Sequence, residues 1–246
     1  MSGHSKWSTI KHKKGAKDAQ RGQLFAKLVR AIEVSAREGG GDPASNATLG
    51  AAIDKAKSAS VPNDNIDRAV KRGIGDVEGV TYEEFWYEGY GPGGVALFVQ
   101  ILTDNRNRAA SDVRSTFSRN GGSLGEPGSV SYVFEQKGYL EVEGDEDEIM
   151  LAALEAGADD VRPSNGAFEV ITEPGLFAEV RKAMEGIATR IETAEVTQLP
   201  KTTVPVDRST APKVLRLVDA LEDLDDVQEV FSNFDIPDDV MADLLA

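Results

Sequence analysis

Near residue 80 the spacing of apolar side chains changes period, and that change sets the fold class. Before it, Leu24, Phe25, Leu28, Val29 and Ile32 recur at about 3.6-residue spacing. They predict a helix over 20–38 with Lys27, Arg30 and Arg37 on the opposite side, stopped by Gly39-Gly40-Gly41. Asn46 can cap a second helix with Leu49, Ala52, Ile53 and Ala56 inward, and Pro62 breaks it. Asn63 or Asp64 can cap a third, with Ile66, Ala69 and Val70 inward, Arg68, Lys71 and Arg72 outward, and Gly73 at its end. Three short amphipathic helices with narrow stripes make a small bundle.

After residue 80 the pattern reads as strands and helices in alternation. Strands are expected at 85–90, 95–103 and 130–134, with a helix over 106–120. Residues 138–198 read strand, helix, strand, strand, helix, strand, the ferredoxin-like order. The tail repeats half of that order, with strands at 202–206 and 227–234 around a helix at 211–224. The expected fold class is α+β: an N-terminal three-helix domain followed by two ferredoxin-like βαββαβ-type domains, one inserted in the other. The expected boundaries are a flexible basic arm at 1–19, a helical domain at 20–78, a discontinuous domain at 79–135 plus 200–246, and an inserted domain at 136–199.

Charge is segregated along the chain. The formal net charge is −15. Residues 1–75 hold fourteen Lys and Arg against seven Asp and Glu, a balance of +7, so the remainder carries −22. No acid precedes Asp18. The arm holds His4, Lys6, Trp7, Lys11, His12, Lys13, Lys14 and Lys17, with Arg21 just inside the first helix. Dense lysine suits phosphate contact through counterion release, and a tryptophan among lysines can stack on a base. A Debye length of about 8 Å lets such a segment act locally on a molecule that is acidic overall.

A second constellation is Thr103-Asp104-Asn105-Arg106-Asn107-Arg108, at the junction of a strand and a helix. Asp104 or Asn105 can cap that helix. Arg106 and Arg108 are mismatched with its dipole, which a phosphate between them would relieve; capping with surface arginines is the plainer alternative. The glycine-rich run Glu88 to Gly94 joins strand to strand and opens no helix, so it reads as a tight turn. The acids 145–148 suit a helix start, and the run 222–226 reads as a solvated helix end or a contact for a basic partner or the arm.

Enzymatic signals are weak. The sequence has no cysteine, and its two histidines both lie in the arm, so thiolate metal sites and cysteine nucleophiles are excluded. No nucleophile elbow occurs. The expectation is a non-enzymatic chain with no cofactor, no metal and no small-molecule substrate. The longest strongly apolar stretch, 95–102, is far shorter than a membrane span, and no secretory signal is visible, so no membrane partner, a cytoplasmic location and a monomer are expected.

Read together, several strings resemble the YebC/PmpR family: Gly3-His4-Ser5-Lys6-Trp7, Lys11-His12-Lys13-Lys14, Asp18, Arg21, Gly40-Gly41-Asp42-Pro43, Val61-Pro62-Asn63-Asp64-Asn65-Ile66, Tyr87 to Gly94, and Thr103 to Arg108. The similarity spans essentially the whole chain. It implies a helical domain plus two α+β domains and a DNA-binding regulator of transcription. It also implies a rival role, because mitochondrial relatives are translational activators and bacterial members look like ribosome-associated factors that help through polyproline stretches. The residues it implies for nucleic-acid contact are Lys6, Trp7, Lys11, His12, Lys13, Lys14, Lys17 and Arg21, with Arg106 and Arg108 added. Many members carry arginine where this chain has Thr48 and Gly50, and Asn-Met where it has Ser60-Val61, which weakens the second helix as a nucleic-acid face.

The expected partner is therefore nucleic acid, either DNA or ribosomal RNA on the ribosome. No helix-turn-helix of convincing spacing presents base-reading side chains, and lysine positions more than it specifies, so weak sequence discrimination is expected. A lysine and tryptophan arm that orders on shaped RNA fits the same residues. A third alternative is a protein scaffold built on the acidic sheets.

Overall fold

The computed structural model describes residues 18–164, 166–237 and 239–241. Three helices come first: α1 (Asp18–Gly39), α2 (Ala47–Ser58) and α3 (Asn63–Gly73). Leu28, Ile32 and Ala36 of α1 close a core with Leu49, Ala56, Val61, Ile66 and Ala69. Leu24 stays 40% exposed, but Phe25 and Val29 pack against this core, so the inward stripe starts at Phe25. Asn46 caps α2 by accepting from the Leu49 N–H at 3.1 Å. At α3 the cap is Pro62, with no side-chain bond; Asn63 and Asp64 lie inside the first turn instead.

The end of α3 touches α1 closely. A Cβ on Gly73 would fall 2.5 Å from the Glu33 carbonyl oxygen and 2.6 Å from Ala36 Cβ, so only glycine fits. Glu33, 3% exposed, accepts from Arg72 Nε at 2.8 Å and Arg37 Nη2 at 3.3 Å. Arg72 thus turns inward to neutralise a buried carboxylate rather than projecting from the outer face.

The same compact unit continues, joining residues up to Ser131 with those from Thr203 onward. Strand β1 (Glu83–Tyr90) pairs antiparallel with β2 (Ala96–Thr103). Their connection is a 3-10 turn, Pro92–Gly94, in which Gly93 and Gly94 both take φ of +76°. This is the strand-to-strand turn that the glycines predicted. Helix α4 (Arg106–Arg119) and the short strand β3 (Ser123–Leu124) follow. After the insertion come β8 (Val204–Pro205), α7 (Ala211–Glu222), β9 (Val227–Ser232) and β10 (Phe234–Asp235). The sheet order is β3-β1-β2-β9, with β8 and β10 forming a separate parallel pair.

Alternation puts Leu97, Val99 and Ile101 in one core with Val113 and Phe117 of α4 and Val214, Leu217, Val218 and Leu221 of α7. On the other side of the sheet Trp86 stacks on Phe98, with ring centroids 4.2 Å apart, and Phe231 lies 5.9 Å from Trp86.

No strand forms at 130–134. Residues 131–133 are a 3-10 turn, and Phe134 begins a strand of the inserted unit. The cause is Glu88, a buried carboxylate on β1. Its Oε1 accepts from the Gly128 N–H at 2.7 Å, and its Oε2 from Val130 at 2.6 Å and Ser131 at 2.8 Å. Those donors are then unavailable to a ladder. Desolvation pushes the Glu88 carboxyl up, but the N–H groups of Gly128, Val130 and Ser131 together pull harder and hold it below the ordinary carboxylate value.

A carboxyl lowered on folding contributes its full stabilisation above its unfolded pKa, and that contribution is lost as pH falls through the folded value. Glu88→Gln sets an amide N–H against one or more of those donors and should cost about 1–3 kcal/mol near neutral pH. In urea titrations the gap between wild type and variant should close as pH drops below about 4.5. A gap constant from pH 7 to 3 would refute the carboxylate's role.

Residues Tyr132–Thr202 form the other compact unit, inserted in the first. It runs β4 (Phe134–Glu143), α5 (Glu146–Glu155), β5 (Asp160–Ser164), β6 (Ala167–Thr172), α6 (Phe177–Glu185) and β7 (Arg190–Pro200). The antiparallel order β5-β6-β4-β7 is the ferredoxin-like arrangement read from the sequence. Leu140, Val142 and Val170 pack under Ile149 and Ala153 of α5 and Val180 and Met184 of α6.

Candidate nucleic-acid interface

Lys6, Trp7, Lys11, His12, Lys13, Lys14 and Lys17 lie outside the described residues. Arg21 falls in the first turn of α1, and its side chain too lies outside what is described. The described basic residues divide sharply by what they touch.

The basic side of α1 is spent inside the fold. Helix α7 ends at Glu222 with bare carbonyls, as every helix does. Gln23 donates to the Asp223 carbonyl and to Asp225 Oδ1, and Lys27 donates to the Glu222 carbonyl. Arg30 donates to the carbonyls of Leu102 at 3.0 Å and Asp225 at 2.6 Å, lies 3.8 Å from the Asp226 carboxylate, and sits over the Tyr82 ring at 5.0 Å. Burial holds the Lys27 amine down to about 8, with Arg30 adding to that and Glu222, Asp223 and Asp225 opposing it. The acidic run 222–226 is therefore a docking point for the chain's own first helix, although Asp223 and Asp225 keep exposed surface. Lys55 pairs in the same unit with Glu229. The sequence offered two basic helix faces; the one on α1 is internally matched.

Arg108 is also held. Asn105 caps α4, accepting from the Arg108 N–H at 3.1 Å. The Arg108 guanidinium donates to Asp226 through Nε at 3.1 Å and Nη2 at 3.0 Å, and to Asp104 at 2.7 Å. The Asp226 bond and then the Asp104 bond push its pKa further up. Carboxylates thus occupy the place where the dipole mismatch had suggested a phosphate. Arg106 is arranged differently, with its guanidinium 4.8 Å above the Phe85 ring and its side chain exposed.

Among the described residues, Lys57 at the end of α2 and Arg68 and Lys71 on α3 are exposed and make no ion pair. Lys57 and Lys71 line one open groove together with Ile53, Val70 and Ile74 and with the carboxylates of Asp67 and Asp76. Sequence reading missed Lys57, because its nearness to Lys71 arises only when α2 and α3 pack. Among the described residues no cluster of His, Cys, Asp and Glu is placed to hold a metal ion, and no helix is long and apolar enough to cross a membrane.

Comparison with known proteins places these features. Residues 5–76 match the TACO1/YebC protein N-terminal domain, and residues 82–234 match the TACO1/YebC second and third domain. The chain belongs to the TACO1/YebC family. Similar relatives include a protein of Rubrobacter xylanophilus, 58% identical over 99% of both chains, and one of Halothermothrix orenii, 55% identical over 99% of both; each is named "Probable transcriptional regulatory protein". The crystal structure of a conserved hypothetical protein from Aquifex aeolicus is 49% identical, with a TM-score of 0.79 over 90% of this chain and 93% of that one. In this TACO1/YebC chain the N-terminal family domain holds Lys57, Arg68 and Lys71, exposed and without an ion pair, as are Arg106, Arg114 and Arg119 of the following domain.

Proposed function

We propose that this chain is a nucleic-acid-binding regulatory protein that approaches its target with the N-terminal arm and with Lys57, Arg68 and Lys71. The observation that carries this reading is the sorting of basic residues. Those on α1 are matched by carbonyls and carboxylates of the same chain, whereas the arm has no acid before Asp18 and the patch on α2 and α3 is unpaired. Surplus positive charge on a molecule of net charge −15 favours a polyphosphate partner at that end. Arg106, exposed beside Phe85, extends the candidate contact; Arg108, clamped by two aspartates, has less to offer.

The names of the relatives favour regulation of transcription, and DNA is the partner that this reading proposes. A second reading, a translation factor on ribosomal RNA, is favoured by the occupied basic side of α1. With that face spent, only Arg68 and Lys71 of α3 remain as exposed bases on a helix of the module's rear half, few for base reading in a major groove, and lysine-rich contact reads backbone shape. Both readings use the same surface. Sedimentation with ribosomes that is lost on deleting residues 1–17 would establish translation. Retention on a promoter over scrambled DNA, persisting at raised salt, would establish transcription. Binding to neither would sink the proposal.

A further inference from the structure

The inserted unit carries a surface that its own packing does not explain. On α5, Ile149 and Ala153 are fully buried against the sheet, while Met150, Leu151 and Leu154 are 38%, 62% and 54% exposed. Positions 150, 151 and 154 share one stripe of a helix. Leu176 extends the stripe beyond the helix end: a Cβ on Gly157 would lie 3.1 Å from its Cδ1. Acid brackets the stripe, with Glu146, Asp147 and Glu148 at one end and Glu155 at the other, all exposed.

Capping by Asp145 and the helix dipole account for the three N-terminal acids. They do not account for Glu155, which sits in the last position of α5, where the dipole favours a cation and no base is present. Nor do they account for exposed leucines. The whole unit, residues 132–202, holds sixteen acids against six bases.

We propose that this stripe docks a basic amphipathic segment of another protein, its apolar side chains seated on Met150, Leu151 and Leu154 and its lysines or arginines facing Glu148 and Glu155. Contiguous exposed apolar surface rimmed by charge marks an interaction site, and a helix laid on such a face is a common mode. The acids decide the partner's chemistry. They repel phosphate, which excludes nucleic acid, and a twofold contact with a second copy would set acid against acid. The site is independent of the nucleic-acid surface and extends the proposed function.

The full chain, labelled with 13C in its methionine methyls, is titrated with a synthetic amphipathic helix of leucine and lysine. The Met150 methyl resonance shifts saturably, and that of fully buried Met184 does not. A peptide of the same composition, scrambled so that it has no apolar face, binds at least about tenfold more weakly. Leu151→Ser with Leu154→Ser, at two exposed positions, weakens the amphipathic peptide by about tenfold or more and leaves nucleic-acid affinity at the wild-type level. Glu148→Gln with Glu155→Gln flattens the salt dependence of peptide binding.

An unmoved Met150 signal, equal binding of the scrambled peptide, or a leucine variant with unchanged affinity overturns the proposal. So does a Met150 shift produced by nucleic acid, or a concentration-dependent dimer that the leucine substitutions abolish. Failure of nucleic-acid binding by the wild type would instead strike the proposed function and leave the peptide result standing.

Discussion

Replacing Lys11, Lys13, Lys14 and Lys17 together by alanine should flatten the salt dependence of duplex binding by about 0.9 for each phosphate no longer neutralised, or about 3.6 if each lysine meets one phosphate. Between about 50 and 200 mM salt, the wild type should then weaken about 150-fold more than the variant. The effect is large because counterion release multiplies over the phosphates engaged, and because the −22 of charge beyond residue 75 offers no substitute. Filter binding across a salt series checks it. Lys57→Ala with Lys71→Ala should lower the slope by about half as much, there being two charges instead of four. Parallel lines for wild type and the quadruple variant would remove the arm from the mechanism.

The second large effect concerns stability. Asp226, whose side chain is 9% exposed, accepts from Arg108 and lies 3.8 Å from Arg30, whose side chain is 14% exposed. Asp226→Ala leaves the mostly buried Arg30 guanidinium with two carbonyls and the Tyr82 ring but no carboxylate. Losing one member of a buried pair costs about 3–5 kcal/mol, and the half-exposed Arg108 places this case near the lower end. With a urea m-value of about 2–3 kcal/mol/M, the midpoint should fall by about 1–1.5 M. Arg108→Ala should lower the midpoint by clearly less than Asp226→Ala does, because that guanidinium is already half-exposed to water. A variant at Asp226 as stable as wild type would mean that the network contributes nothing.

The fold class was legible because hydrophobic period is a local signal. Leu24 apart, the stripes of α1, α2 and α3 and the strand–helix order of the inserted unit fell where spacing put them. Asn46 and Asn105 were readable as caps, since the acceptor and its N–H are three residues apart. The errors came from partners distant in sequence. The alternation Val130, Tyr132, Phe134 resembled a strand, but Glu88, some forty residues earlier, claims the N–H groups of Val130 and Ser131. Arg72 looked outward until α3 packed on α1 and met Glu33. Lys27 and Arg30 formed a basic face on a helical wheel, and nothing nearby in the sequence revealed that the end of α7, almost two hundred residues later, would cover it. A helical wheel shows which side chains share a face but not what lies opposite.

The hydrogen bonds from α1 to the end of α7 carry one further consequence. The two family domains meet between residues 76 and 82, yet Gln23, Lys27 and Arg30 complete a helix that belongs to the second of them. The evolutionary seam is thus not a seam of cooperativity. A fragment cut there would begin life with a raw helix terminus and an Asp226 that keeps Arg108 but loses Arg30, and the two pieces should unfold in one transition when joined. Swapping the N-terminal domain between relatives would succeed only where residues 23, 27 and 30 and the segment 222–226 are exchanged as a set.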